Sequence, residues 1–331
     1  MTDHLAILAP GLLGASVAKA ARARDAARRI TIWARRPETR AALRSQPFAD
    51  SIAETPADAV RDATLVILAA PVEKIIELAA QISPSLPPGA LVTDVGSVKS
   101  RICRECAAAM PPHATFIGSH PMAGGAKTGW ENATDDLFIG RTTFVTPGEG
   151  FSIFDSRFLI ENPQTPGENT PARQRHVTQT AKSADEAKPR LIVTERSDIP
   201  ANRESKIENL CSFWRALGAN PVIVSPAEHD EIVAHISHLP QVLATTLASF
   251  LAQKNSQWRA HAGNGLRDTT RIAASDATMW LEIFQQNRSE ILRALDAFQS
   301  DLATLRAALD KNDWPALRAR LETGKKFRDS L

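Results

Sequence analysis

The chain has 331 residues, of which 43% are hydrophobic and 23% charged, values typical of a globular protein large enough for two domains. Its 39 basic and 37 acidic residues give a formal charge of +2, too small an excess to indicate a nucleic acid or an anionic membrane as partner. The absence of an 18-residue apolar run and of a cationic leader, together with only three cysteines, predicts a cytoplasmic chain without membrane segments or a disulfide framework.

Short apolar runs alternate with amphipathic stretches over the first 147 residues. The runs cover residues 5–9, 30–34, 64–70, 90–95, 115–119 and 142–146. Between them lie stretches such as 14–24 and 73–82, in which apolar residues recur every three or four positions. Continuous apolar strands that alternate with helices predict an α/β fold with a Rossmann-type, doubly wound parallel sheet.

A polar segment at about 151–189 interrupts this pattern. It is rich in proline, threonine and glutamine and has no sustained period, which predicts an insertion, either a tolerated surface loop or a lid. The segments that follow, a run at 190–195, a helical stretch at 206–217 and a run at 219–226, are expected to complete the sheet domain.

The remainder of the chain has a helical pattern. The long periodic segments cover residues 228–253, 278–309 and 314–327. The sequence therefore predicts two domains, 1–225 with the insertion and 226–331, of which the second is all-helical and carries apolar faces able to form a dimer.

The loop after the first predicted strand contains two glycines. It reads A-P-G-L-L-G from Ala9 to Gly14 and differs from the dinucleotide fingerprint G-x-G-x-x-G at Ala9. Its place between a strand and a helix predicts a pyrophosphate cradle at the helix N-terminus. Because a residue before proline favours extended geometry, we expect Pro10 to make glycine unnecessary at Ala9. The residues predicted to contact the dinucleotide in this loop and after the third run are Gly11, Leu12, Leu13, Gly14, Ala70 and Pro71.

The end of the second predicted strand bears on which dinucleotide binds. NAD-binding folds place an acid there to accept hydrogen bonds from the ribose. This chain has Ala34 at that position, followed by Arg35 and Arg36. A guanidinium binds a 2′-phosphate through paired, charge-assisted hydrogen bonds, whereas an acid repels it. The sequence favours NADP, with NAD as the alternative and two solvated surface arginines as the simpler interpretation.

Two further loops with polar residues follow predicted strands. They read DVGSVKS at 94–100 and GSHPMAGGAKTGW at 118–130, so both open at the carboxyl edge of the sheet, where doubly wound folds bind ligands. Pro121 restricts the backbone of His120 and favours a fixed side-chain direction. The helical part adds EHDEIVAHISHLPQ and GLRDTTRIAASDATMW.

In this combination the chain resembles the prephenate/arogenate dehydrogenase family of tyrosine biosynthesis. The matching stretches are PGLLGASV, LVILAAPV, DVGSVK, GSHPMAG, HDEIVAHISHLP and RDTTRIAASDATMW, which span nearly the whole chain apart from the insertion. The resemblance implies a nucleotide-binding domain, a helical dimerisation domain and a homodimer. It also implies oxidative decarboxylation of prephenate or arogenate, with hydride transfer to NAD(P).

The resemblance further implies roles for single residues. His120 would take the proton of the C4 hydroxyl as hydride leaves C4, a task that suits a neutral imidazole. Ser97 would orient His120 and the nicotinamide. His238 would line the substrate pocket, and Arg271 would pair with a substrate carboxylate. The other two implied substrate residues are Arg267, as a second cation, and Trp280, packed near the pocket.

One departure and several alternatives remain. Many relatives carry a glutamate two residues after HPMAG, where this chain has Ala126. The sequence does not distinguish prephenate from arogenate. A β-hydroxyacid dehydrogenase or a non-catalytic nucleotide sensor are the other classes; HPMAG with SHLP argues against the first, and His120 with two arginines against the second.

Two smaller motifs have plain structural interpretations. His235 and His238, with His229 and Asp230 upstream, have a spacing that could gather a metal ion, but no further ligand stands at a recognisable spacing, and we predict no metal. Cys103-x-x-Cys106 lies within a predicted helix rather than after a strand, which favours two small residues on a helix face over a redox pair.

Overall fold

The computed structural model describes residues 1–124, 128–148 and 201–331, with the side chains of 201 and 202 excepted. The predicted insertion at about 151–189, the run at 190–195 and Ala126 lie outside the described residues.

A six-stranded parallel sheet forms the centre of the first domain. Its strands are β1 Thr2–Leu8, β2 Ala27–Trp33, β3 Ser51–Ile52, β4 Leu65–Leu68, β5 Leu91–Asp94 and β6 Thr115–Phe116, in the order β3-β2-β1-β4-β5-β6. The helices between them are α1 Leu12–Ala23, α2 Pro37–Leu43, α3 Pro56–Val60, α4 Val72–Ile82 and α5 Ser100–Ala109.

Both faces of this sheet are covered. On β1, Leu5 and Ile7 join one core cluster, which includes residues of α1, whereas Ala6 and Leu8 join the other, which includes residues of α4 and α5. A strand buried on both faces reads as a continuous apolar run, which confirms the predicted doubly wound parallel sheet. The order of strands reverses direction between β1 and β4, where such folds bind their ligands.

A second, three-stranded sheet corrects the prediction of a single parallel sheet. Its strands are β7 Gly118–Pro121, β8 Thr142–Thr146 and β9 Asn220–Ile223, with β7 antiparallel and β9 parallel to β8. The apolar run at 115–119 is therefore divided between two sheets. A Cβ on Gly118 would lie 2.4 Å from Thr146 Oγ1 and 2.7 Å from Cys103 Sγ, so glycine permits the close approach at which β7 leaves the parallel sheet.

Helices make up the rest of the described chain. They are α6 Ala201–Ala216, which packs on the sheet, and then α7 Pro226–Val233, α8 Leu239–Ala252, α9 Asn264–Thr270, α10 Ala277–Gln286, α11 Arg288–Asp310 and α12 Trp314–Asp329. A π-helical turn, Ala234–His238, joins α7 to α8. Such turns are frequent at functional sites, and Pro240, which lacks an N–H, lies two residues after its end. No helix of the described ranges is long and apolar enough to cross a bilayer.

Helix α10 connects the helical domain to the sheet domain. Its Ile283 is 5% exposed and belongs to the same core cluster as Val72 and Ile75 of α4. Gln286 at its end donates a hydrogen bond to Glu73 of α4 (2.6 Å), and Arg101 of α5 pairs with the same carboxylate. The helical domain is thereby held over the carboxyl end of the sheet.

Candidate active site

A cavity of about 670 Å³ lies between the carboxyl ends of β1, β4 and β5 and the helical domain. Small residues from the loops after these strands form one side, and the π-helical turn and α10 form the other. The predicted site residues that line it are Gly11, Leu12, Leu13, Ala70, Pro71, Ser97, His120, His238 and Trp280.

The loop after β1 fits the pyrophosphate of a dinucleotide. Gly11 precedes α1 and no side chain caps this helix, so the N–H groups of its first turn are free for an anionic ligand. A Cβ on Gly14 would lie 2.8 Å from the Cβ of Ala69, because α1 packs directly against the loop after β4. A Cβ on Gly11 would meet nothing within 4 Å, which leaves room for phosphate at that point.

The structure contradicts the expectation of extended geometry at Ala9. Its φ is +63°, in the left-handed region, where a residue with a Cβ costs on the order of 1–3 kcal/mol. The turn is held by hydrogen bonds from the Ala9 N–H to the Trp33 carbonyl (2.9 Å) and from the Gly11 N–H to the Ala9 carbonyl (2.8 Å). Pro10 therefore does not remove the need for glycine; this chain adopts the glycine conformation with alanine.

Arg35 and Arg36 follow β2 outside the cavity. Both side chains are exposed, whereas Ala34 is buried. Arg40 of α2 donates hydrogen bonds to the backbone carbonyls of Ala34 (2.9 Å) and Arg35 (3.1 Å). These bonds fix the turn that carries the two arginines at the carboxyl end of β2, next to β1 and its glycine loop.

His120 lies on β7 at the start of a hydrogen-bonded row. Its Nδ1 is 2.9 Å from Nε2 of His229 on α7, whose Nδ1 is 2.8 Å from Oδ1 of Asp230. The Asp230 carboxylate accepts the backbone N–H groups of Lys99 (2.8 Å) and Ser100 (2.9 Å) at the start of α5. The row therefore runs from the cavity through the helical domain and back to the sheet domain.

A buried ion pair supports both loops of the site. Asp94 at the end of β5 pairs with the Lys99 ammonium, and neither side chain is exposed. The Asp94 carboxylate also accepts the backbone N–H groups of Gly96 (2.8 Å) and Ser119 (3.1 Å). These two residues immediately precede the predicted serine and histidine of the site, so the ion pair holds the two loops in one arrangement.

His238 lies in the π-helical turn and is 1% exposed. Asn287 places its Nδ2 3.1 Å from Nδ1 of His238 and 2.7 Å from the backbone oxygen of Asp230. The rings of Trp280 and His238 meet edge to face, with centroids 5.9 Å apart. The buried indole N–H of Trp280 has no hydrogen-bond partner in the described ranges.

Burial keeps the histidines of the site neutral. It lowers the pKa of His120 well below 6.5, and the neighbouring His229 and Lys99 lower it further. Burial also lowers the pKa of His229, against the opposing effect of Asp230, and brings the pKa of His238 to about 4. Near neutral pH, His120 is therefore a neutral imidazole, in which one ring nitrogen has a lone pair that can accept a proton.

The structure does not bring the two predicted carboxylate-binding arginines into the cavity. Arg267 lies on α9 and Arg271 in the turn that follows, and both are exposed. Among the described residues that line the cavity there is no lysine or arginine, while α10 and the turn before it contribute Asp276 and Glu282. The described part of the lining thus offers hydroxyl and imidazole groups rather than cations.

Of the first smaller motif, His229, Asp230 and His238 belong to this site, whereas His235 and the cysteine pair lie apart from it. In the part of the chain that the structure describes, no three His, Cys, Asp or Glu side chains are placed to hold a metal ion. His235 is exposed and bonds to the Glu231 carbonyl (2.9 Å). Cys103 and Cys106 are buried in the core, and burial raises the pKa of Cys103 to about 12, as expected of an inert thiol.

Sequence reasoning missed the residues that support the site. It considered His229 and Asp230 only as metal ligands and did not name Lys99 or Asn287. His229, Asp230 and Lys99 lie within HDEIVAHISHLP and DVGSVK, two of the stretches that carry the family resemblance. This position is the one sequence signal that could have identified them. The bond between His120 and His229 joins positions 109 residues apart, and no local pattern reveals such a contact.

Comparison with known proteins identifies the two domains. The family model "Prephenate dehydrogenase, nucleotide-binding domain" matches residues 17–152, and "Prephenate dehydrogenase, dimerization domain" matches residues 225–323. The cyclohexadienyl dehydrogenase of Zymomonas mobilis is 27% identical over 332 residues, which cover 99% of this chain and 96% of that protein.

Two solved structures share the fold. The prephenate dehydrogenase of Aquifex aeolicus, in complex with hydroxyphenyl propionate and NAD+, has a TM-score of 0.77 at 24% identity, covering 100% of this chain and 98% of its own. The arogenate dehydrogenase of Synechocystis has a TM-score of 0.74 at 23% identity and covers 99% of each chain. With two domain models that together match more than half of its length, the chain belongs to the prephenate dehydrogenase family.

Proposed function

We propose that this chain catalyses the oxidative decarboxylation of prephenate or arogenate, with hydride transfer to a nicotinamide dinucleotide. The observation that carries the proposal is the position of His120. It is a buried, neutral histidine in a cavity that begins at the glycine loop and ends against the helical domain. Family membership supplies the substrate class, and the cavity supplies a base beside a dinucleotide cradle.

The proposed chemistry requires one proton acceptor. The oxidised nicotinamide accepts the hydride from C4 of the substrate. His120 takes the proton of the C4 hydroxyl, so that the O–H electron pair forms a carbonyl. The C1–carboxylate bond then breaks, its electron pair completes the aromatic ring, and the phenolate oxygen recovers the proton from His120. Aromatisation drives the reaction, so the protein needs only to position, deprotonate and bind the substrate.

The remaining site residues hold the substrate and the cofactor. Ser97 orients His120 and the nicotinamide, while His238 and Trp280 line the substrate side of the cavity. Arg271 pairs with a substrate carboxylate, and Arg267 is a second cation. Support for the arginines is their exposure on the segment just before Asp276, which lines the cavity; an arginine side chain is long enough to change its direction on ligand binding.

The cofactor is proposed to be NADP, with NAD as the alternative. Ala34, Arg35 and Arg36 support this choice, because no acid stands at the end of β2 and two exposed guanidinium groups follow it. Arg40 holds the backbone of this turn, which follows β2, the neighbour of β1 and its glycine loop.

The chain is also proposed to be a homodimer that joins through the helical domain, residues 226–331, with residues 1–225 as the nucleotide-binding domain. Only Ile291 and Ala294 of α11 are buried, and α12 has no buried residue, among the residues that the structure describes. Helices with an apolar face require a partner surface. The large apolar side chains left exposed on them are Leu292, Leu302, Leu309, Trp314, Leu321 and Phe327.

The test is a matrix of steady-state assays on the purified chain. Both substrates are assayed with both cofactors, and CO₂ release is measured beside reduction of the nicotinamide. We expect turnover of at least one substrate and a larger kcat/KM with NADP than with NAD. A β-hydroxyacid, 3-hydroxyisobutyrate, is assayed beside them. Turnover of this compound instead, or of none of the three, would overturn the proposed reaction, and a preference for NAD would overturn the cofactor assignment. Light scattering on the same sample should give twice the chain mass.

A further inference from the structure

The two histidines of the cavity are held by different partners. His120 is bonded through Nδ1 to His229, and His238 is bonded through Nδ1 to Asn287. In the described part of the chain neither Nε2 has a hydrogen-bond partner, and both rings line the cavity. The nitrogen that each ring presents to a ligand is therefore Nε2, and its chemistry depends on where the ring carries its proton.

The proton on His120 follows from Asp230. This carboxylate accepts two backbone N–H groups, at 2.8 and 2.9 Å. Burial acts to raise the pKa of Asp230, but the hydrogen bond and charge interaction with His229, together with the bond from Ser100, hold it below its usual value. An ionised carboxylate only accepts, so His229 donates to it from Nδ1 and has a lone pair on Nε2. His120 must then donate from Nδ1 to His229, which leaves a lone pair on the Nε2 of His120.

The proton on His238 follows from Asn287. A backbone carbonyl only accepts, so the Asn287 atom 2.7 Å from the Asp230 carbonyl is its amide nitrogen. The second N–H of that nitrogen points to Nδ1 of His238 at 3.1 Å, which must therefore accept. His238 is neutral and 1% exposed, so its single proton lies on Nε2.

We propose that Asp230 and Asn287 fix the two cavity histidines in opposite tautomers, so that His120 presents a proton acceptor and His238 presents an N–H donor to the substrate. Asp230 takes part in fixing both tautomers. Its carboxylate acts on His120 through His229, and its backbone carbonyl acts on His238 through Asn287. The catalytic use of the two nitrogens rests on the proposed function, whereas the tautomers themselves do not.

This arrangement gives each ring one task. The Nε2 of His120 can only take the hydroxyl proton, and the positive charge that it then acquires faces the carboxylate of Asp230 through His229. The Nε2–H of His238 can only donate to a substrate oxygen, in a carboxylate or a side-chain carbonyl. Asp230 and Asn287 are thus positioning residues, since neither lines the cavity.

The tautomers can be measured directly by NMR on the full chain with ¹⁵N-labelled histidine. Long-range ¹H–¹⁵N correlation shows which ring nitrogen carries the proton, without substrate or cofactor. His120→Asn and His238→Asn each remove one ring and assign the two spectra. We expect the proton of His120 on Nδ1 and that of His238 on Nε2. The same tautomer in both rings would overturn the proposal, even if the enzyme is active.

Two variants test the assigned cause. Asp230→Asn places an N–H near His229, and we expect the proton of His120 to move towards Nε2 and kcat to fall at least about tenfold, with cofactor KM unchanged. Asn287→Leu frees Nδ1 of His238, and we expect mixed tautomers and a substrate KM raised about 3–10-fold, as for loss of one neutral hydrogen bond. Asp268→Asn and Asn209→Leu, at exposed positions, are matched controls that should change nothing.

The outcomes separate this proposal from the proposed function. A wild-type chain that shows the two tautomers but turns over neither substrate contradicts only the reaction. An active chain in which Asp230→Asn leaves the His120 tautomer unchanged contradicts only the role of Asp230. If Asp230→Asn does not fold, the wild-type spectrum and Asn287→Leu still decide the proposal.

Discussion

The cavity has two walls that are built by different means. The cofactor wall, Gly11, Leu12, Leu13, Ala70 and Pro71, consists of small or apolar residues. The polar wall, Ser97, His120, His238 and Trp280, comes from both domains. His120 is held by His229 across the domain boundary, and His238 is held by Asn287 within the helical domain. The first wall is set by the local geometry of two strand–helix turns, one after β1 and one after β4, whereas the second exists only when distant segments meet. Substitutions should therefore affect binding at one wall and chemistry at the other.

The largest effect is expected at the polar wall. His120→Asn removes the proton acceptor, and we expect kcat to fall by about 10²–10⁴-fold, the usual contribution of general base catalysis. The dissociation constant of the cofactor, measured by fluorescence titration, should stay within about twofold of wild type, because the cofactor wall is unchanged. His261→Asn, at an exposed position, is the control. Unchanged turnover in His120→Asn would remove this residue from the mechanism.

A smaller effect is expected at the cofactor end. Replacing Arg35 and Arg36 together by alanine should raise KM for NADP about 10–100-fold, because hydrogen bonds between charged groups contribute about 1.5–3 kcal/mol. KM for NAD and kcat should change little, since NAD has no 2′-phosphate. Arg28→Ala, an exposed arginine at the opposite end of β2, is the matched control. Equal losses for both cofactors would contradict the assignment.

The walls should also differ in their response to pH. The pKa of His238 is lowered to about 4 from 6.5. Between these two pH values the unfolded chain therefore binds a proton at His238 that the folded chain does not bind. Stability should therefore be full above pH 6.5 and fall as the pH drops towards 4, by up to about 1.4 kcal/mol per pH unit for this residue. Urea unfolding at several pH values, in wild type and in His238→Asn, measures the difference in slope. Identical slopes would show that His238 titrates normally.

The smallest effect is expected on the stability of the turn at Ala9, which precedes the cofactor wall. Ala9→Gly should relieve the left-handed conformation and raise the free energy of unfolding by up to about 1 kcal/mol, the gain being reduced by the larger freedom of glycine in the unfolded chain. Ala57→Gly, in helix α3, is the control and should destabilise by roughly 0.5–1 kcal/mol. Chemical denaturation measures both, and a loss of stability in Ala9→Gly would contradict the strain at this residue.

The architecture could be predicted from the sequence because its causes are local. The apolar strands and the periodic helices follow from the repeat of each element, and Gly14 shows where the first helix packs on the strand. The second sheet was not predictable, because β7 and β8 look like further parallel strands until their partners are known. The left-handed φ of Ala9 was missed for a related reason. The preference imposed by Pro10 is a weak local term, and the bonds to Trp33 and Gly11 override it.

The sequence by itself determined the two-domain plan and, through the resemblance, the histidine, the serine and the glycine loop that meet in the cavity. Only the tertiary structure decided how the histidine is supported and which predicted residues stay outside. His229 and Asp230 lie beside His120 because α7 packs against β7 and α5. Arg271 is exposed and does not line the cavity, although Asp276 does. The physical reason is the same in each case. The sequence specifies the type of each side chain, but the hydrogen-bond partner and the exposure of that side chain depend on which segments pack together.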